Sequence, residues 1–139
     1  MISKKTIYGL QAAILLAKSY DTGPILITDL AREGHIPKKF LEAILLELKK
    51  TGILNSKKGK GGGYVIAKDP QDISVGDIIR SLEGSFSDIY FKDETKETNE
   101  IKMVMKEVID AMSNILDKTS LSDVIERACS GQNVLNYVI

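Results

Sequence analysis

The sequence predicts a mainly α-helical protein with one small β-hairpin, and three patterns lead to this fold class. Apolar residues recur every three or four positions in several separate stretches, which is typical of amphipathic helices. A segment rich in glycine and lysine at 57–63 separates two short β-prone runs, and a long amphipathic stretch follows at 97–117. The 139 residues, of which 43% are apolar, suffice for one ordinary domain with a buried core.

The chain begins with a predicted helix, for which Ser3 is a candidate N-cap. This helix is expected to end near Tyr20, because the Asp-Thr-Gly-Pro run at 21–24 stops it. Residues 25–27, Ile-Leu-Ile, are expected to form a short strand, after which Thr28 is a candidate cap for the next helix.

Two further helices are predicted, a brief one over 29–33 and a longer one that Pro37 opens and Gly52 ends. The three-residue turn at 34–36 joins them. Two helices joined by so short a turn indicate a helix-turn-helix.

Residues 53–56 and 64–67 are predicted to pair as the two strands of a hairpin. The glycine-rich loop between them is unlike a nucleotide-binding phosphate loop, because a strand follows it where such a loop precedes a helix. A DNA-binding wing with lysine charge fits the pattern better, and a solvated hairpin tip is the alternative. The order of elements is that of a winged helix-turn-helix.

The second half of the chain begins with a short helix over 75–82, capped by Ser74 and closed by Gly84. A last short helix is expected from Ser120 to about Ala128, followed by an apolar end. The predicted organisation is a winged helix-turn-helix DNA-binding domain at 1–84, an acidic loop at 85–96, and a dimerisation helix with a C-terminal tail at 97–139.

The long helix carries apolar residues at alternating steps of four and three, the spacing of a helix–helix seam. The residues of this predicted dimer interface are Ile101, Met105, Val108, Met112 and Ile115. A helix so apolar needs a partner, which is either a second subunit or the protein's own domain folded back.

Charge is segregated along the chain although the formal net charge is zero. Residues 1–70 hold twelve Lys and Arg against six acids, a balance of +6, and residues 71–139 hold seven against thirteen, a balance of −6. This asymmetry favours an anion-binding module joined to a partner-facing segment, with chance segregation as the alternative.

Several classes of function are excluded by the scarcity of Cys and His. Cys129 and His35 are the single residues of their types, so an internal disulfide and a thiolate-held cluster or structural zinc are impossible. No convincing acid/base pair is present, and we expect neither an enzyme nor a bound cofactor or metal. The apolar part of the first helix is too short to span a bilayer, so we expect a cytoplasmic protein with no membrane partner.

Double-stranded DNA is the predicted ligand of the basic half. Lys38 and Lys39 lie in the first turn of the second helix of the motif, where the positive end of the helix dipole repels their charge. Phosphates bound at this position would offset the repulsion. The residues predicted to contact DNA are Lys4, Lys5, Thr28, Pro37, Lys38, Lys39, Phe40, Lys57, Lys58, Gly59 and Lys60.

Several motifs together resemble the Rrf2 family of winged-helix regulators, which includes IscR, NsrR and CymR. The most specific are Gly62-Gly63-Tyr64 in the wing and the Val-Gly-Asp-Ile-Ile-Arg helix at 75–80. The resemblance covers almost the whole chain and implies a homodimeric bacterial transcription regulator whose two recognition helices bind a palindromic site.

Departures from the family pattern indicate which members of the family this chain resembles. Cluster-binding members have three cysteines between the Glu-Gly pair and the dimer helix, and this chain has none there. The resemblance is therefore nearest to the cluster-free repressors of cysteine metabolism, the CymR type. Phe40 and Ala43 stand where relatives commonly carry Tyr and Gln, so the family's operator sequence does not transfer.

The CymR-type resemblance also suggests a protein partner, a cysteine-synthase-type enzyme that would bind Tyr137, Val138 and Ile139 at the C-terminus. Packing of this tail on its own dimer is the alternative. We predict a homodimeric DNA-binding repressor, for which the resemblance suggests cysteine or sulfur metabolism as the regulated process. The rival hypothesis is a protein-interaction module that no longer recognises an operator sequence. It would regulate a partner enzyme through its acidic half and tail.

Overall fold

The computed structural model describes residues 2–86 and 98–138, with side chains as far as Gly131. Within these residues it contains six α-helices and a two-stranded antiparallel hairpin, which confirms the predicted fold class. In chain order the elements are α1 (Lys4–Lys18), α2 (Ile27–Gly34), α3 (Lys38–Lys50), β1 (Leu54–Lys57), β2 (Gly63–Ile66), a 3₁₀ turn (Pro70–Asp72), α4 (Val75–Glu83), α5 (Asn99–Lys118) and α6 (Leu121–Val138).

The core lies where α3 packs on α1 and α2. Leu41, Ile44, Leu45 and Leu48 recur at helical spacing along α3, and all four are completely buried. Burial of each such side chain stabilises the fold by about 1.5–3 kcal/mol. This one-sided burial orients α3, so that the opposite side of the helix faces solvent.

The predicted strand at 25–27 is reduced to a single residue pair. Ile25 and Tyr64 exchange two backbone hydrogen bonds of 2.9 and 2.8 Å, but α2 already begins at Ile27, with Leu26 as its N-cap. Thr28 therefore lies in the first turn of α2, and the prediction that it caps this helix is wrong. The helical conformation is favoured over the predicted strand because it places Leu30 in the core, where this side chain is completely buried.

The hairpin pairs Leu54 with Ile66 at its base and Lys57 with Gly63 at its tip. Both strands thus differ by one residue from the predicted boundaries. Ile53 lies outside β1 because its N–H closes the end of α3 with a 3.0 Å hydrogen bond to the carbonyl of Leu48, although its own carbonyl still accepts a 2.9 Å hydrogen bond from the N–H of Ala67. A Cβ at Gly63 would lie 2.5 Å from the carbonyl oxygen of Ile25, so glycine is required where the Ile25 segment meets the wing.

Two helix starts lie side by side in the second half of the chain. Ser74 and Asp77 form a capping box at α4, and Ser120 and Asp123 exchange the equivalent two hydrogen bonds at α6. Ser74 and Ser120 are themselves paired in an antiparallel bridge. The bridge fixes the end of α5 against the start of α4.

Helix α5 packs one side of its surface against α4. Ile109 is buried in a second apolar cluster with Ile79 and Phe86, and Met112 and Leu116 pack against this cluster. The predicted acidic loop at 85–96 lies outside the described residues except at its first two positions, of which Phe86 is buried. Phe86 therefore belongs to the core.

Helix α6 is longer than predicted, because it continues past Ala128 to Val138. Gly131 lies inside it, at a cost of about 1 kcal/mol relative to alanine. Among the helices of the described part of the chain, none has both the length and the apolar character needed to cross a membrane.

Candidate nucleic-acid interface

The start of α3 is strongly attractive to anions. Lys38 and Lys39 are both exposed in its first turn, which contains no acidic residue. Pro37 is the N-cap and makes no side-chain hydrogen bond to the helix. The free N–H groups and the positive end of the helix dipole therefore add to the charge of the two lysines.

The turn between α2 and α3 is built on a left-handed residue. His35 has φ 52° and ψ 44°, and the N–H of Ile36 donates to the carbonyl of Ala31 at 3.0 Å. Ile36 is buried, which anchors the turn to the core. The turn is thus held by local backbone geometry and by the buried side chain of Ile36.

Phe40 is the most exposed large apolar residue of α3, with 57% of its surface accessible. Its ring lies 6.4 Å from the ring of Tyr8 on α1, at an interplanar angle of 39°. The contact holds the ring at the side of the exposed face of α3. Phe40, which is predicted to contact DNA, is therefore accessible. The sequence pattern did not indicate its contact with Tyr8.

Lys5 has a partner within the protein. Its Nζ lies 2.6 Å from Oε1 of Glu47 on α3, and both side chains are partly exposed. Such a pair contributes at most about 1 kcal/mol. Lys5 therefore joins α1 to α3, whereas Lys4 is exposed and forms no ion pair among the described residues.

The tip of the wing requires its glycines. Gly59 and Gly61 have φ of 91° and 79°, a region that other residues rarely adopt. A Cβ on Gly62 would collide with the carbonyl oxygen of Lys57. The tight turn leaves Lys57, Lys58, Gly59 and Lys60 exposed.

One contact missed by sequence reasoning links the wing to α3. Nζ of Lys49 donates a 2.6 Å hydrogen bond to Oγ of Ser56 on β1. This contact ties the end of α3 to β1, one residue before the tip of the hairpin. The remaining predicted DNA residue, Thr28, is exposed on α2, so the predicted residues all lie on the helix-turn-helix and its wing except Lys4 and Lys5 on α1.

The predicted dimer seam is divided between two sides of α5. Ile101, Val108 and Ile115 are exposed, but Met105 is half-buried and Met112 packs against the second apolar cluster of its own chain. Val104, 55% exposed, completes the accessible side. We call Ile101, Val104, Val108 and Ile115 the α5 stripe.

The predicted partner-binding tail is helical where it is described. The backbone of Tyr137 and Val138 forms the last turn of α6, and Ile139 lies outside the described residues. The only cysteine of the chain, Cys129, is exposed on the same helix as a free thiol. Among residues 2–86 and 98–138, no three His, Cys, Asp or Glu side chains cluster as metal ligands would.

Known proteins share both the sequence and the shape of this chain. Residues 2–127 match the family described as "Rrf2: Iron-dependent Transcriptional regulator". The HTH-type transcriptional regulator CymR of Bacillus subtilis is 36% identical over 139 residues, covering 99% of both chains. Both the family and this relative are transcriptional regulators, in agreement with the prediction that the chain is not an enzyme.

Two solved structures show the same architecture. CymR (YrzC), described as the global cysteine regulator of B. subtilis, superposes with a TM-score of 0.82 at 33% identity, covering 91% of this chain and 97% of that one. IscR of T. potens superposes with a TM-score of 0.79 at 34% identity, covering 92% and 88%. The chain therefore belongs to the Rrf2 family of transcriptional regulators.

Proposed function

We propose that the protein is a cytoplasmic, homodimeric repressor that binds a palindromic DNA site and blocks a promoter. The observation that carries the proposal is the basic surface of α3 and the wing. Lys38, Lys39, Lys57, Lys58 and Lys60 are exposed and form no ion pair with any described residue. Phosphates of a duplex would neutralise them and release counterions.

The α5 stripe supports the dimer. Its four aliphatic side chains share one side of the helix and are half or more exposed in the monomer, apart from Val108 at 45%. A second copy of α5 would cover them and place two recognition helices on one duplex. A two-fold symmetric dimer predicts two half-sites about one helical turn, or a multiple of it, apart.

The regulated process is proposed from similarity. Full-length identity to CymR, together with the description of the B. subtilis protein as a cysteine regulator, supports a role in cysteine or sulfur metabolism. The cysteine-synthase-type partner stays a prediction that rests on the resemblance, since the described part of α6 offers no feature that favours it.

The test is a DNA titration of the full chain. Fluorescence anisotropy on the duplex upstream of its own gene and on a scrambled duplex, each at two salt concentrations, measures affinity, specificity and salt slope. We expect preferential binding of the upstream duplex with a steep salt slope, and light scattering should give twice the monomer mass. Binding that is absent on both duplexes would refute the DNA-binding proposal and favour the interaction-module hypothesis.

A further inference from the structure

The side of α3 opposite the core carries apolar side chains although it faces solvent. Lys39, Ala43, Leu46 and Lys50 follow steps of four, three and four, which places them along one ridge. All four are exposed, Leu46 at 52%. The middle of the ridge therefore carries two apolar side chains, with lysine at each end.

Phe40 widens this apolar surface at its side, about a sixth of a turn from Ala43 by helical geometry. We call Phe40, Ala43 and Leu46 the α3 apolar patch. Its three side chains can neither donate nor accept a hydrogen bond, so they cannot read the polar edges of base pairs. Glu42, also exposed, is the acidic neighbour on the other side of the ridge.

The charge around the patch favours a polyanion as its occupant. Lys38 and Lys39 lie at one end of α3, Lys49 and Lys50 at the other, and all four are exposed. A partner that covers the patch must therefore offer apolar groups between two rows of negative charge. The major groove of DNA meets this description, because phosphates line it and the C5-methyl group of thymine projects into it.

We propose that the α3 apolar patch reads thymine methyl groups within each half-site, so that recognition depends on thymine rather than on polar base edges. The inference rests on the proposed function, in which α3 enters the major groove. Burial of one methyl group is worth about four-fold in affinity. Loss of several methyl groups from a two-half-site operator would therefore weaken binding ten-fold or more.

The experiment removes only the methyl groups. The wild-type chain first selects duplexes from a random library, and a recovered duplex is then synthesised with thymine or with deoxyuridine at every thymine of its half-sites. Both duplexes are titrated with wild type, with the double variant Phe40→Ala/Leu46→Ala, and with Leu26→Ala. Leu26, 54% exposed, is a control of matched exposure outside α3.

The expected result has three parts. Wild type binds the thymine duplex about four-fold more tightly for each contacted methyl group, with the same salt slope on both duplexes because the phosphates are unchanged. The double variant binds the two duplexes nearly equally, and Leu26→Ala retains the wild-type preference. Circular dichroism of the variants verifies that they are folded.

Equal binding of the two duplexes by wild type would overturn the inference while leaving the proposed function intact. A thymine preference that persists in the double variant would also overturn it, because the preference would then come from duplex stiffness or from other residues. No enrichment and no salt-sensitive DNA binding would refute the proposed function itself, and the inference with it.

Discussion

Arg80 on α4 and Asp117 on α5 form an ion pair, with 2.5 Å between Nη2 and Oδ1. The hydrogen bond to Asp117 is the largest cause that raises the pKa of Arg80, because it stabilises the charged guanidinium. The same guanidinium lies 5.3 Å from the centre of the Phe86 ring. Arg80 thus joins α4 to the helix that carries the α5 stripe.

The pair depends on a glycine, which leads to a first prediction. A Cβ on Gly76 would collide with Oδ1 of Asp117, so Gly76→Ala should displace this carboxylate and weaken its pair with Arg80. The loss, about 1 kcal/mol for a partly exposed pair, would offset the gain of about 1 kcal/mol that alanine brings to a helix. In an Asp117→Ala background the same change should therefore stabilise the protein.

Urea unfolding of the four proteins in this double-mutant cycle measures the coupling. We expect Gly76→Ala to be nearly neutral in the wild-type background and stabilising by about 1 kcal/mol in the Asp117→Ala background. An identical effect in both backgrounds would show that Gly76 and Asp117 do not interact.

Neutralisation of the wing should reduce the salt dependence of DNA binding. Each lysine–phosphate contact contributes about 0.9 to the slope of log K against log salt, so Lys58→Gln/Lys60→Gln should lower the slope by up to about 1.8 on every sequence. Anisotropy titrations at several salt concentrations provide the slope. Lys106→Gln, on α5, is the control and should leave it unchanged; a slope unaffected by the wing variant would refute the wing contact.

A charge in the α5 stripe should separate the subunits. Val104→Glu places a carboxylate among Ile101, Val108 and Ile115, where a second copy would bury it, and we expect light scattering to report a monomer. The neighbouring Met103 is 67% exposed but faces away from the stripe by helical geometry. Met103→Glu should leave the mass unchanged, and dissociation by Met103→Glu but not by Val104→Glu would place the interface elsewhere.

The capping box at α6 should lose its contribution in acid. The backbone hydrogen bond from Ser120 is the main cause that lowers the pKa of Asp123 below its usual 3.8. A lowered carboxyl pKa means that the folded state favours the ionised group, so its stabilisation is present above the usual pKa and is lost as pH falls through the lowered one.

The measurement is Tm as a function of pH for wild type and Asp123→Asn. The wild type should melt higher at neutral pH, and the difference should shrink as pH falls below about 3.8, the usual pKa of this group. A Tm difference that grows with acidity would contradict the role of the ionised carboxylate.

Local patterns in the sequence were sufficient for most of the fold. Ser3 and Ser74 cap the helices they were expected to cap, and the glycine-rich segment between the strands is the exposed hairpin tip. These features depend on hydrogen bonds and backbone conformations within a few residues, which composition and spacing report directly. Helix α6, by contrast, runs past the predicted end, because one glycine does not break a helix.

The sequence by itself determined the order of the helices and of the two hairpin strands, the basic α3 and wing, and the absence of cysteines for a cluster, because each depends on residue identity and short-range spacing. Only the tertiary structure decided which apolar residues of α5 are exposed: Met112, a predicted seam residue, faces the Ile79 cluster, whereas Val104, outside the predicted seam, faces solvent. Likewise it paired Lys5 with Glu47 and Arg80 with Asp117, residues 42 and 37 positions apart. Burial and long-range charge pairing depend on how helices pack, and the period of a single helix does not contain that information.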